Sequence, residues 1–205
     1  AFHAGDFGAA IEQGAALGAE GAAVANKSAG VYATYLAPND ATAITILEQA
    51  IGRAEAVLEA HPERANSHYF HAFVLGRYSQ RISVAKALAA GLGGKVQHSL
   101  ERTLKLERKH ADAHTALGVF HSEIVAKVGA LLGRLTYGAS AEAALREFET
   151  AVKLDPQSLI ARLEYARGLE LLYASDKADE IEKLLRAAVR CAPRRRLPGR
   201  STISP

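Results

Sequence analysis

The chain has 205 residues and a formal net charge of +3, long enough for one domain with a sizeable core. Arg194, Arg195, Arg196 and Arg200 sit in an acid-free tail, and removing their four charges leaves −1, so the basic character belongs to the tail; this argues against a nucleic-acid-binding domain. A single cysteine, Cys191, excludes an intrachain disulfide, and no apolar run reaches the length of a membrane span.

The first predicted helix runs from Asp6 to Leu17, with Asp6 as N-cap and Phe7, Ala10, Ile11, Ala15 and Leu17 as its apolar positions. It reads as the second helix of a pair whose first helix is absent. There is no methionine, and the native N-terminus is expected upstream, together with any signal peptide. Glu20 to Leu36 is the next helix, with Val24, Val31, Tyr32, Tyr35 and Leu36 as core candidates. Pro38-Asn39-Asp40 breaks the chain and caps a helix over Ala41–Ala60, where Ile44, Leu47, Ile51, Ala54 and Leu58 recur at spacings of three and four.

After His61-Pro62, a helix is expected over Asn66–Leu88, around Leu75-Gly76, ending at Gly91-Leu92-Gly93-Gly94. Its partner spans Lys95–Arg108, with Val96, Leu100, Leu104 and Leu106 inward. A third pair occupies Ala111–Pro156, and a fourth comprises Gln157–Ala174 and Ala178–Ala192, separated by a Ser175-Asp176 cap. The helix endings at Pro62, Arg108, Pro156 and Pro193 lie 46, 48 and 37 residues apart. Two insertions account for the longer spacings. Val84-Ala85-Lys86 in one matches Val125-Ala126-Lys127 in the other, and each continues as apolar, glycine-rich sequence, either an extended first helix or an excursion between helices.

Small residues at Gly118, Ala144 and Ala151, large ones at Leu117 and Phe148, and the closing Pro156 resemble the tetratricopeptide repeat (TPR) pattern. The resemblance implies an all-α, right-handed stack of antiparallel TPR-like helix pairs with two elongated repeats. One domain is expected over 1–193, its first repeat incomplete, followed by a basic, disordered tail over 194–205. More distantly, Leu75-Gly76-Arg77-Tyr78, Leu104-Lys105-Leu106, Ala113 to Gly118 and Ala144 to Pro156 resemble two related groups. These are the T-component of bacterial TRAP transporters and the regulator of microtubule dynamics proteins. That likeness implies a periplasmic or cell-envelope protein that docks a partner and holds an apolar ligand cavity.

Candidate chemistry is sparse. His110 and His114 stand at the i, i+4 spacing that can chelate a metal, with His121 further along. However, His114 and His121 fill TPR slots that usually hold aromatic rings, so structural roles are expected and no metal or other cofactor is assigned. Gly91 to Lys95 lacks the glycine spacing and the following Ser or Thr of a phosphate loop. Glu164, Glu170, Asp179, Glu180 and Glu182 read as solvated helix faces. Leu88, Leu92, Val128, Leu131, Leu132, Leu135 and Tyr137 read either as packing between repeats or as an apolar groove or subunit contact. Tyr69, Arg77 and Tyr78 are candidate anchors on a concave surface. The expected function is a non-enzymatic scaffold for a protein partner. The alternative is a carrier of an apolar small molecule, and self-association through the same stretches is a further expectation.

Overall fold

Side-chain caps begin most of the helices. α1 (Phe7–Ala16) starts at Asp6, whose carboxylate accepts the Ala9 amide at 3.1 Å. After α2 (Ala22–Tyr35), Asn39 caps α3 (Asp40–Ala60) by accepting the Thr42 amide at 2.9 Å. α4 (Ala65–Ser79) is followed by the short α5 (Val84–Ala89), capped by Ser83, and by α6 (Leu92–Leu106). His110 caps α7 (Ala111–Val128), its Nδ1 accepting the Ala113 amide at 3.2 Å. α8 (Ala130–Tyr137) leads to α9 (Ala141–Leu154), α10 (Leu159–Tyr173) and α11 (Ala178–Cys191), with Ser140 and Ser158 capping α9 and α10. Each such cap satisfies an otherwise orphaned helix-terminal amide. These elements come from a computed structural model that describes residues 1–191; the expected disordered tail, 194–205, lies outside the described residues.

The described residues form an all-α stack of TPR-like pairs: α2 with α3, α4 with α6, α7 with α9, and α10 with α11, with α1 packed on α2. Ala72, Leu75, Leu92, Val96, Leu100, Ala113, Leu117 and Phe120 form one buried cluster shared by α4, α6 and α7. Phe148 is fully buried and stacks on Tyr165 with ring centroids 5.1 Å apart. Its ring occupies the space that a side chain at Gly118 or Gly168 would need.

Several expectations change on contact with this packing. The Asn66–Leu88 helix is broken: α4 stops at Ser79, and Arg81 reaches back to α2, donating from Nη2 to the carbonyls of Ala33 (2.7 Å) and Thr34 (2.9 Å). Val24, Tyr35 and Leu36 are exposed, because the inward face of α2 is built from Ala22, Ala25, Ala29, Gly30 and Ala33. Leu106 is exposed at the C-terminal end of α6. Glu164 is buried, not solvated, because arginines from two helices meet it.

The helices keep the 46-residue spacing of Pro62 and Arg108, not the 41-residue spacing of Val84 and Val125 in the matched Val-Ala-Lys segments. α4 and α7 begin 46 residues apart, and His68 and His114 play one role at that spacing. Each ring Nε2 reaches the carbonyl six residues before it, Pro62 at 2.8 Å and Arg108 at 3.1 Å. The counterpart of Gly118 is therefore the buried Ala72, and Gly76 has no equivalent packing role. The matched Val-Ala-Lys segments likewise open α5 in one repeat and close α7 in the other.

Candidate functional site

Neighbouring first helices pack directly at both ends of the stack, α2 on α4 and α7 on α10, whereas α4 and α7 scarcely touch. A groove of about 170 Å³ opens between them. Leu92, Val96 and Leu100 of α6 and Phe120 of α7 make its floor. One wall carries Tyr69, Phe73, Gly76 and Arg77 of α4; the other carries Ala116, Val119 and Ile124 of α7. Bulk at one end and small residues along the middle explain the gap. The Tyr69 ring lies 4.7 Å from that of His110 and bridges the helix starts, while nothing stands within 4 Å of where a Cβ on Gly76 would project.

The rim is charged. Arg77 donates from Nη2 to Glu164 Oε1 on α10 at 3.4 Å and from Nη1 to Gln80 Oε1 at 3.3 Å, with its guanidinium carbon 5.5 Å from the Phe73 ring centroid. Gln80 donates to Glu123 Oε1 at 2.6 Å, and Lys127 donates to Glu123 Oε2 at 3.1 Å. Glu164 also accepts from Arg167 at 3.4 Å, and Arg167 donates to the Tyr35 hydroxyl of α2 at 3.5 Å. Burial, reinforced by Asp112, pushes the Tyr69 hydroxyl above its ordinary pKa, so that it stays neutral on the groove wall.

The candidate anchors divide between three places. Tyr69, Arg77, Leu88, Leu92, Val128 and Tyr137 all line the groove. Tyr78 points elsewhere, into the packing near α3, where its hydroxyl donates to Glu48 Oε1 at 3.3 Å. Leu131, Leu132 and Leu135 stand exposed on α8, outside the groove lining. The sequence reading passed over Gly76, Ala116, Val119, Ile124 and Ile160, all of which line it. The 46-residue register would have flagged Gly76 as a glycine without a packing duty.

The three metal-candidate histidines face different neighbours. His110 caps α7 and places Nε2 3.1 Å from Asn66 Oδ1. His114 has Glu147 Oε2 2.6 Å from Nδ1 and the Arg108 carbonyl 3.1 Å from Nε2. Acceptors at both nitrogens favour the imidazolium, and the Glu147 hydrogen bond raises the His114 pKa against the opposing effect of burial. Burial lowers the pKa of His121, whose Nδ1 has no protein partner among the described residues. No group of three or more metal-ligating side chains converges among the described residues. The buried contact between His71 Nδ1 and Ser99 Oγ, 2.8 Å, lies away from the groove.

No helix among the described residues is long and apolar enough to cross a membrane. In sequence, residues 22–193 match the family described as "Regulator of microtubule dynamics protein 1-3". No curated protein sequence matches the chain. A solved structure titled "Crystal structure of MamA" is similar, with 16% identity over 92% of this chain and 90% of that one, at a TM-score of 0.49.

Proposed function

The chain belongs to the regulator of microtubule dynamics protein 1-3 family, and from that premise we propose that it is a non-enzymatic scaffold holding a protein partner in the groove between α4 and α7. The observation that carries this reading is the separation of α4 from α7 above an apolar floor, in a stack whose other first helices pack on each other. TPR-like stacks present such concave surfaces to partners. A volume of about 170 Å³ is close to the roughly 150 Å³ cavity that takes a benzene-sized guest. It suits one large apolar side chain of a partner, with Arg77, Glu123 and Lys127 offering polar contacts to the flanking backbone.

The apolar floor also favours the second reading, a carrier of an apolar small molecule, although the volume falls below the roughly 300–1,000 Å³ common for small-molecule sites. Gly76→Leu tests both, because its side chain would fill the groove without meeting a neighbour at Cβ. Under the scaffold reading, affinity capture from native extract returns a protein with the wild type and loses it with Gly76→Leu, while thermal stability is kept. Under the carrier reading, native mass spectrometry shows an excess mass on the wild type, released by denaturation and absent from the variant. A partner retained at full strength by Gly76→Leu would move the binding site off the groove.

A further inference from the structure

Leu131, Leu132 and Leu135 are 75%, 55% and 76% exposed on α8, and none of them lines the groove. Leu131 and Leu135 are four residues apart and Leu132 flanks them, so all three share one side of a short helix. Gly129 (φ 91°) and Gly138 (φ 63°) adopt left-handed backbone at the two ends of α8, fixing where it departs from α7 and rejoins α9. α5 follows α4 as α8 follows α7. It contacts α6, as α8 does, and presents Val84 and Leu88, 42% and 47% exposed. Tyr137 closes the join, its ring against Gly93 and its carbonyl accepting from Gln97 at 3.1 Å.

The sequence of these two helices is short of acids, the nearest being Glu123 on α7 and Glu142 in the first turn of α9. Residues 64–100 and 124–141 contain no Asp or Glu, although 22 acids are spread over the rest of the chain. Lys86, Lys95 and Arg134 lie in these stretches with no ion-pair partner among the described residues, and Lys127 is paired only to Glu123 at the groove rim. Exposed leucines on helices whose own charged residues are all unpaired cations form the pattern of an interfacial helix: apolar side chains enter the acyl boundary while Lys and Arg reach the headgroups. A second copy of this chain would bring like charge against like charge.

We propose that α8, supported by α5, docks the edge of the stack formed by its two middle repeats on an anionic lipid surface. The stack lies on the bilayer and does not span it. Leu131, Leu132 and Leu135 insert shallowly, and Arg134, Lys86 and Lys95 meet lipid phosphates. Val84 and Leu88 of α5 also line the groove, whereas Leu131, Leu132 and Leu135 do not, so the leucines of α8 are what separate this assignment from the groove's occupant.

Flotation of the full chain with vesicles tests it, using phosphatidylcholine alone and phosphatidylcholine mixed with phosphatidylglycerol. The wild type should float with the mixed vesicles and not with phosphatidylcholine alone. The doubly substituted Leu131→Ser/Leu135→Ser chain keeps every charge and alters only exposed side chains. It should bind about tenfold more weakly or worse, since interfacial affinity scales with buried apolar area, while its circular dichroism and the behaviour of Gly76→Leu stay as before. Lys86→Gln/Arg134→Gln should weaken binding and flatten its salt dependence. Three results would overturn the proposal. One is absence of wild-type binding to mixed vesicles. Another is equal binding by the serine variant, which would place the attraction on the arginine tail. The third is a wild-type oligomer that the serine variant makes monomeric without changing vesicle binding, which would give the face to a second copy.

Discussion

Gly76 and Gly118 sit in similar sequence surroundings and have opposite physical duties. A Cβ on Gly76 meets nothing within 4 Å, whereas one on Gly118 would lie 2.6 Å from the Phe148 ring. Gly76→Ala should therefore stabilise the chain by about 0.5–1 kcal/mol through helix propensity alone. Gly118→Ala should destabilise it by about 1–3 kcal/mol, because a fully packed ring has to move. Denaturant titration of the two variants reads the difference in sign, and two destabilised variants would refute the register. At His114 the argument concerns a proton. Its folded pKa is raised above 6.5 by Glu147, so its stabilising contribution is complete below the unfolded value and fades as pH rises through the folded one. His71 and His121, lowered by burial, act in the opposite sense: their contribution is present above 6.5 and is lost as pH falls through that value towards their folded ones. An NMR titration of the imidazole carbons should give His114 a midpoint above 6.5 and His121 one below it, and Glu147→Gln should bring the first down. A His114 midpoint at or below that of His121 would contradict the paired geometry.

At the scale of the element, legibility followed side-chain size. α9 was readable almost to the residue, because Phe148 and the small Ala144 and Ala151 make an unambiguous inward stripe before Pro156. α2 was located but turned the wrong way. Its buried face is alanine, glycine and serine, which carry little hydrophobic signal, so the larger Val24, Tyr35 and Leu36 drew the assignment outward. The end of α4 was invisible for a different reason. No glycine or proline stands between Ser79 and Ser83; the stop coincides with Arg81 donating to carbonyls at the C-terminal end of α2 and pairing with Asp40 at 2.9 Å. Those carbonyls carry the negative end of a helix dipole, a tertiary attraction that local sequence does not display. The groove was half legible. Its aromatic and leucine lining is a matter of residue type, but the splay of α4 from α7 depends on how two helices far apart in sequence share one floor.

Across the whole molecule, a few polar contacts join repeats that are not neighbours. A solenoid stabilised only by neighbouring repeats unfolds from its ends in loosely coupled steps. Here Glu164 of α10 meets Arg77 of α4, 87 residues earlier, and through Arg167 it is linked to Tyr35 of α2, 132 residues before that arginine. These bonds link α2, α4 and α10 without involving α7, so they couple repeats that nearest-neighbour packing leaves independent. Glu164 is buried, and the Arg77 side chain is 21% exposed; both bonds to Glu164 are long at 3.4 Å. Glu164→Gln should therefore cost about 1–2 kcal/mol, towards the lower end for charge-assisted bonds. The sharper readout is spatial. Hydrogen exchange should quicken in α10 and in α4 together, and the denaturation transition should broaden, because one residue fastens both helices. Exchange that quickens in α10 alone, with a transition of unchanged width, would reduce the brace to a local ion pair. The same variant bears on the groove, since Glu164 and Arg77 stand on its rim. Loosening them should speed the release of whatever segment lies between α4 and α7, leaving the apolar floor that receives it intact.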